Sequence, residues 1–460
     1  MRDYSDYSVT KVSDLRELLC RSVELYGSKI AFQRSNEDIS YHRFRTDVLC
    51  VAGALHSRAR CFFQVSVDDS YLFAVAYFAT VLTDNIAVLL DTRHSPTGIE
   101  TPPITEDLTK QKVLQMLSVS PISDDILPLP NADSLCTIIY SSGTTSAAKG
   151  IMLSQKNLCC DVVGGLEKYR FSPEDRLLQL IPYCHAFGLV CDLLAPLLSG
   201  TVICIPDSRA QGLAQMRTFL PTMLNAPPAI AEAILKMKEH TESMDLITGG
   251  QLKKILCGGA SLRQEVTEIM LEWNINAFGC YGVSECSPCV SVNRDEFYKP
   301  GSAGIPLNCN KIRIADDGEI VIRGDNVMLG YYRDLERTAH VIVNGEYYTG
   351  DLGYVDKDGF LFVTGRKSNM IVFEDGTKCL PETLEQNILS HPAVQEALVY
   401  AERTSGGLKL CTRVYLADAR AQREVELFLS TIPKYQPFYR IQFTEKPLRK
   451  TLTGKLRRDL

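Results

Sequence analysis

The 460-residue chain has no surplus of positive charge, no hydrophobic run long enough to cross a bilayer and no repeating cysteine spacing. Its 49 lysines and arginines are outnumbered by 55 aspartates and glutamates, for a formal net charge of −6. Without a basic excess to neutralise phosphates along a polymer, a nucleic-acid surface is disfavoured and small-molecule chemistry is expected. The longest apolar stretch, Tyr71 to Leu82, falls well short of the roughly 20 residues a membrane span needs. It reads instead as a buried core helix. Met1 to Thr10 is polar and lacks the apolar centre of a secretory leader, so a cytoplasmic chain with reduced thiols is expected. The 16 cysteines are scattered rather than arranged as a disulfide framework. Cys286-Ser287-Pro288-Cys289, with Cys280 nearby, has the spacing of half a zinc site or of a redox pair. No second C-x-x-C completes it, and inert thiols are expected there.

What the chain does contain is ordinary globular material: 45% hydrophobic residues and enough length for two or three domains. One loop stands out, Tyr140-Ser141-Ser142-Gly143-Thr144-Thr145-Ser146-Ala147-Ala148-Lys149-Gly150. The run Leu135 to Ile139 before it reads as a short buried strand. After it, Leu158, Val162 and Leu166 share one face at helical spacing, with Ser154 as N-cap, so the loop is expected to join a strand to a helix. Small hydroxyl side chains, a glycine, free backbone N–H groups and a lysine are what a polyphosphate needs for close, charge-assisted contact. An ordinary flexible connection has the same composition. A Walker A loop is excluded, because its second glycine and the hydroxyl directly after its lysine are missing.

The same string resembles the Y-T-S-G-T-T-G-x-P-K-G signature of the acyl-adenylate-forming superfamily, with Ser146 in place of a glycine and Ala148 in place of a proline. Later segments are similar to further motifs of that superfamily, in the expected order from Tyr140 to Leu460. Pro182-Tyr183-Cys184-His185-Ala186-Phe187-Gly188 is similar to its P-x-x-H-x-x-G segment. The resemblance implies that His185 lines a carboxylate pocket, with Phe187, Gly259 and Val283 as further walls. No acidic residue lies within Cys184 to Gly188 to pair with a substrate ammonium, so a free amino acid is a poor candidate, although Asp192 follows on the predicted helix.

From Lys254 to Glu285 strands alternate with helices, as a doubly wound sheet requires. Lys254 to Cys257 is a strand, Gly258-Gly259-Ala260 a close turn, and Ser261 with Gln264 has the pattern of a capping box. A second strand, Ile275 to Phe278, leads into Gly279-Cys280-Tyr281-Gly282-Val283-Ser284-Glu285, which is similar to the superfamily's Y-G-x-T-E motif. By that match Tyr281 stacks on adenine, Gly259, Ala260, Gly282 and Ser284 border the nucleotide, and Glu285 with Thr144 holds the magnesium that bridges the phosphates. Ser141, Ser142, Gly143, Thr144, Thr145 and Lys149 form the phosphate cradle.

Beyond Lys311 the pattern becomes alternating, with hairpin signals at Asp317-Gly318 and Asp358-Gly359, so a small β-rich subdomain is expected. Tyr348-Thr349-Gly350-Asp351 is similar to T-G-D, whose aspartate accepts from both ribose hydroxyls. Gly365-Arg366-Lys367-Ser368 resembles the G-R-x-K/D hinge, with Ser368 at the usual lysine or aspartate. Asp375-Gly376 and Pro381-Glu382 with Glu385 look most like the fatty-acyl ligase branch. Thr451-Leu452-Thr453-Gly454-Lys455 resembles the closing T-x-S/T-G-K, with Arg449 at the proline that usually precedes it. Arg449, Lys450, Arg457 and Arg458 around it read as a solvated tail.

The fold expected is therefore α/β: a large N-terminal domain of doubly wound sheets with a β-rich subdomain over residues 1–367, then a small mobile α+β domain over 368–460. The resemblance implies ATP- and Mg2+-dependent formation of an acyl-AMP from a small carboxylic acid, followed by transfer to coenzyme A, with Lys455 and His185 in catalytic roles and Arg366 and Gly376 at the cofactors. Loading the phosphopantetheine of a holo-acyl carrier protein is the alternative acceptor, and an aryl acid the alternative substrate. A catalytically weak homologue acting as a nucleotide sensor or scaffold is the alternative of another class.

Overall fold

The apolar run Tyr71–Leu82 becomes the helix Ser70–Leu82, buried at every position after the first. Asp69 caps it by accepting the Leu72 N–H. Against it packs the helix Tyr41–Leu55, capped by Ser40. Phe44 meets Phe78 edge-on at 5.6 Å, and the Tyr71 hydroxyl donates to Asp47 at 2.6 Å. These residues belong to a computed structural model that describes residues 5–91, 101–140, 148–238, 243–416, 418–432, 437–450, 456 and 458.

Two mostly parallel sheets form the bulk of the chain. One has six strands in the order Gly330–Tyr331, Gly150–Ser154, Leu135–Tyr140, Ile86–Leu89, Phe62–Ser66 and Glu106–Thr109. Its last four run parallel, and the strands Gly150–Ser154 and Gly330–Tyr331 are antiparallel additions. The other has nine, ordered Ile305–Pro306, Cys289–Val292, Asn276–Gly282, Lys254–Cys257, Met223–Ala226, Arg176–Leu178, Val202–Cys204, Ile30–Gln33 and Asp38–Ser40. Its six central strands are parallel. Strands such as Ile86–Leu89 and Lys254–Cys257 are buried along their whole length, as sheets covered on both faces demand. A five-stranded sheet follows, in which Asn310–Ile314, Glu319–Gly324, Glu346–Val355 and Ile342–Val343 lie in order and Leu361–Arg366 pairs with Glu346–Val355. The chain ends in a three-stranded sheet, Val394–Thr404, Gly407–Leu416 and Arg440–Thr444, with the helices Pro381–Leu389 and Gln422–Leu429. The α/β class expected from the sequence is the class observed.

Contacts cluster into two units. The first holds Met1–Ile312, Ile322–Tyr347 and Lys357–Leu361; the second holds Arg313–Val321, Tyr348–Asp356 and Phe362–Leu460. Each has its own core. In the first, Leu224, Ile234, Ile255, Met270 and Ala277 are fully buried together. In the second, Ile388, Val399, Leu410, Val414 and Val425 are.

Several local expectations need correction. The loop after Tyr140 does not lead directly into a helix, because the strand Gly150–Ser154 intervenes, pairing Gly150 with Tyr140 and Ile151 with Ile139. The helix then starts at Gln155, where Ser154 and Asn157 exchange side-chain and backbone hydrogen bonds in a full capping box. The helix expected to open at Ser261 begins at Gln264 with Arg263 at its N-cap and no side-chain cap. The strand expected to stop at Phe278 runs through Gly282, because its last three residues pair with Cys289–Val292. Arg458 departs from the solvated tail expected, whereas Arg449 and Lys450 are exposed as expected. Arg458 bonds the Glu385 carboxylate at 2.7 Å and the Val399 carbonyl at 3.0 Å, and Lys450 pairs with Glu396 at 2.7 Å.

Candidate functional site

The strand Leu135–Tyr140 turns back as Gly150–Ser154, and the packing around residue 150 is tight. A Cβ there would lie 3.1 Å from both Tyr140 Cζ and Tyr332 Cβ. Tyr332 N–H donates to the Gly150 carbonyl at 2.7 Å, and Tyr331 pairs in register with Ile151. The two tyrosines thus sit across from Gly150 and Ile151, the two residues that follow Lys149. The Lys149 ammonium lies 5.0 Å from the Tyr331 ring centroid, within the range where a cation is attracted to an aromatic face.

Glu285 reaches the same place from the other sheet. The strand Asn276–Gly282 ends where a Cβ on Gly282 would come within 2.2 Å of the Pro288 carbonyl oxygen, so only glycine lets the chain fold back. Val283 N–H then donates to that same oxygen at 2.9 Å, and Ser284–Cys286 forms a single helical turn carrying Glu285. The Glu285 carbonyl accepts the Met328 N–H at 2.8 Å. Its carboxylate accepts the Tyr331 hydroxyl at 2.8 Å. Burial, reinforced by this carboxylate, holds the Tyr331 phenol protonated well above the ordinary tyrosine range. Burial does the same for Tyr347, with Glu285 and Tyr331 adding to it. The lysine of one motif, the glutamate of another and a tyrosine between them therefore form one constellation.

A second group borders the strand ends of the nine-stranded sheet. Cys257 is the partner of Gly279 in the parallel pairing, so Gly258-Gly259-Ala260 leaves its strand beside Cys280-Tyr281-Gly282, which continues the neighbouring strand into its pairing with Cys289–Val292. Gly259 has φ +84°, where glycine is favoured, and it and Ala260 are exposed. Tyr281 is buried, while Gly282, Val283 and Ser284 are half-buried. The Phe187 ring covers Gly258, whose Cβ would be 2.9 Å from Phe187 Cε1 and 3.1 Å from Cys280 Sγ. His185 is two residues from that ring, with its Nε2 3.8 Å from Asp91 Oδ2. Asp192 is fully buried, its oxygens accepting from Ile181 N–H at 3.2 Å and from the Asn225 amide at 2.9 Å.

In the second unit Asp351 is buried, and its carboxylate accepts the Arg366 Nε–H at 2.8 Å. The neighbouring Lys367 ammonium bonds Glu319 at 2.9 Å and pairs with Asp317 at 2.5 Å, while Glu319 also accepts the Gly350 N–H at 2.8 Å. Gly376 sits in an exposed turn at φ +81° with nothing near its would-be Cβ. Ser141, Ser142, Gly143, Thr144, Thr145 and Lys455 lie outside the described residues.

Two participants escaped the sequence reading. Tyr331 carries no motif of its own, and only its strand pairing reveals it. Asp91 follows the strand Ile86–Leu89, and nothing in its sequence neighbourhood announces a partner. Cys286 and Cys289 are buried, and burial pushes the Cys286 thiol far up, in keeping with the inert thiols expected.

A family model for AMP-binding enzymes matches residues 100–332. A solved anthranilate CoA ligase in complex with anthranoyl-AMP superposes with a TM-score of 0.85 at 20% identity, covering 99% of this chain and 96% of that one. An o-succinylbenzoate CoA synthetase from Bacillus subtilis, in complex with an acyl-adenylate, gives 0.80 at 23% identity over 96% of both chains. A 2-succinylbenzoate–CoA ligase of Bacillus mycoides is 30% identical over 339 residues, 70% of this chain and 69% of the relative. A long-chain-fatty-acid–CoA ligase of Mycobacterium bovis is 28% identical over 313 residues, 58% of this chain but 52% of the relative, so this chain matches about half of that relative's length. Since the family match takes in just over half of the chain, including Lys149, His185, Tyr281, Glu285 and Tyr331, the chain belongs to the AMP-binding enzyme family.

Proposed function

We propose that this chain is an AMP-forming acid–thiol ligase that activates a small carboxylic acid with ATP, releases pyrophosphate and passes the acyl group from acyl-AMP to coenzyme A. The observation that carries the reading is the meeting of Lys149, Tyr331 and Glu285 at one point, 5.0 Å and 2.8 Å apart along the chain of contacts. A cation beside a carboxylate is what a magnesium–triphosphate needs, one group for phosphate oxygens and the other for the metal. Glu285 fits Mg2+ chemically, being a half-buried hard-oxygen donor at the end of a strand, and Thr144 is its proposed companion. When bound, the metal screens the negative charge of the phosphates.

The chain's own residues would then divide the work. Lys149 and the hydroxyl loop Ser141 to Thr145 hold phosphate oxygens. Tyr281, with Gly259, Ala260, Gly282 and Ser284, borders the adenine. Asp351, held by Arg366 at 2.8 Å, keeps an acceptor aimed for ribose hydroxyls. His185 and Phe187 border the acid, Gly376 the thiol, and Lys455 steadies the charge that gathers at the α-phosphate. A hinge at Ser368, the position that the family resemblance implies, would give the C-terminal residues freedom to serve both half-reactions. The relatives are named for fatty, succinylbenzoic and coumaric acids with coenzyme A as acceptor, which supports an acyl or aryl acid and coenzyme A here.

The test is pyrophosphate release across a library of fatty, aryl and amino acids, repeated with coenzyme A and with a holo-carrier protein. Release with an acyl or aryl acid and a thioester product with coenzyme A are expected. Apolar pockets separate neighbouring chain lengths by only about 1–3 kcal/mol per methylene, so several neighbours should react. Strict dependence on an amino acid, or thioester on the carrier alone, would overturn the proposal.

A further inference from the structure

Three metal-ligating side chains converge in the first unit at a point that nucleotide chemistry does not call on. Asp91, Cys184 and His185 place a carboxylate oxygen, a thiol sulfur and an imidazole nitrogen all within 4.8 Å of one another. They come from different sheets: Asp91 follows the strand Ile86–Leu89, whereas Cys184 and His185 lie in the turn beyond the strand Arg176–Leu178. That turn is held rigidly. His185 N–H donates to the Pro182 carbonyl at 3.0 Å, the His185 carbonyl accepts the Leu189 N–H at 2.8 Å, and a Cβ on Gly188 would strike the Pro182 oxygen at 2.2 Å. The His185 and Asp91 side chains are only 16% and 12% exposed, so a bound ion would be largely shielded from water.

Geometry and donor type agree on the ion. Tetrahedral zinc, with bonds of about 2.0–2.3 Å, holds its ligand atoms roughly 3.3–3.8 Å apart. At 3.8 Å, His185 Nε2 and Asp91 Oδ2 stand roughly 0.5 Å wider than a zinc-bound nitrogen–oxygen pair, and no separation within the trio exceeds 4.8 Å, so a closure of about 1 Å would bring the three atoms onto one ion. A thiolate with an imidazole and one carboxylate selects Zn2+ or Co2+ over the hard Mg2+. Three protein ligands leave the fourth position open, as in zinc sites that bind an exchangeable ligand.

We propose that Asp91, Cys184 and His185 form a Zn2+ site separate from the Glu285 position. Its consequence for turnover rests on the function proposed above: Zn2+ draws His185 away from the carboxylic acid, so zinc occupancy inhibits acyl-AMP formation.

The experiment titrates the full chain with Co2+, whose thiolate charge-transfer absorption reports a sulfur ligand directly, and then displaces it with Zn2+. Wild-type protein should bind one Co2+ with that absorption. Cys184→Ser should lose the absorption, Asp91→Asn should bind at least tenfold more weakly, and Cys20→Ser, which removes an exposed thiol elsewhere, should bind as wild type. Zn2+ should also protect Cys184 of the unmodified chain from iodoacetamide, read peptide by peptide, which keeps the test sharp if a variant fails to fold. An undiminished thiolate band in folded Cys184→Ser, no band in wild type, or no protection of Cys184 would each overturn the site. Zinc inhibition of pyrophosphate release that is lost in Cys184→Ser is expected. Inhibition equal in the two would sink the inhibitory role, and a chain inactive on every acid would defeat the function while leaving the binding results intact.

Discussion

Tyr331 shows what a single side chain adds that motifs do not reveal. Its ring faces Lys149 and its hydroxyl donates to Glu285, so it orients the two charges the proposed chemistry uses. A hydrogen bond to a charged group is worth about 1.5–3 kcal/mol. Tyr331→Phe keeps the ring and removes the hydroxyl's bonds to Glu285 and Tyr347, so the KM for MgATP should rise about tenfold or more and the thermal midpoint should fall as well. Steady-state kinetics at varied MgATP checks this, and an unchanged KM would detach Tyr331 from the nucleotide. Asp192 was legible only as an acidic residue near the pocket segment. The structure explains it as a buried group whose pKa burial pushes up to about 7, against the hydrogen bonds from Asn225 and the Ile181 and Leu180 backbone that hold it down. The folded protein therefore binds this proton more tightly than the unfolded chain does. Its stabilising contribution is complete below the unfolded carboxylate pKa of about 4 and is lost as pH rises through about 7. Asp192→Asn removes that dependence. Relative to wild type, the variant should gain stability between pH 4 and pH 8, by up to about 4 kcal/mol, read from urea midpoints across that range. Parallel pH profiles for the two proteins would contradict the assignment.

At the scale of elements, the sequence was legible wherever the signal is local and obscure wherever a distant strand decides. The Ser154 cap was readable because its partner Asn157 is three residues away, and the helix Ser70–Leu82 because its apolar content admits no other placement. The strand Gly150–Ser154 was not readable, since it exists through pairing with Leu135–Tyr140 on one side and Gly330–Tyr331 on the other. The extension of Asn276–Gly282 past Phe278 has the same origin, in its pairing with Cys289–Val292. Ser261 illustrates the reverse error, a capping pattern without a cap, because the helix opens only at Gln264, after an extended Arg263. Gly282 is where an element and the proposed site share one constraint. Its Cβ would sit 2.2 Å from a backbone oxygen of Pro288, which no side-chain rotation can relieve. Gly282→Ala should lower stability by about 1–3 kcal/mol, as forced insertions into packed regions do, and should displace Glu285 with it. Thermal denaturation together with the Mg2+ dependence of pyrophosphate release measures both effects. A fully stable and fully active variant would show that the strand end is more pliable than its packing indicates.

For the molecule as a whole, the basic residues around the closing motif are where the sequence reading and the structure part, in a segment on which the proposed chemistry depends. A basic cluster near a chain end reads as solvated, yet Arg458 bonds Glu385 at 2.7 Å and lies 3.2 Å from Glu382, so two acids of the Pro381–Leu389 helix anchor it. Lys450 is tied to Glu396 at 2.7 Å and bridges Leu456 across the backbone. The residues on either side of the closing motif are therefore fixed to the core of the second unit, and Lys455 lies between them in sequence. Anchoring and chemistry can be separated by mutation. Arg458→Leu leaves the buried Glu385 carboxylate without its cation, a change that costs about 3 kcal/mol when such a pair is broken. Hydrogen exchange should then rise in peptides over Pro381–Leu389 and Val394–Thr404 and stay unchanged over Lys254–Cys257, in the other unit. Lys455→Ala removes a charge without removing either anchor, so the exchange pattern should match wild type. A preorganised cation at developing charge is worth about a hundred- to a thousandfold in rate, and acyl-AMP formation in Lys455→Ala should fall by that factor. Conversion of supplied acyl-AMP and coenzyme A to thioester should proceed at near wild-type rate, because the role proposed for Lys455 is confined to the attack of the carboxylate on the α-phosphate, and the oxygen that AMP carries away in the second step is left to other groups. Single-turnover kinetics of each half-reaction decides the matter: equal loss of both steps in a variant with wild-type exchange would mean that Lys455 serves the whole reaction rather than adenylation alone.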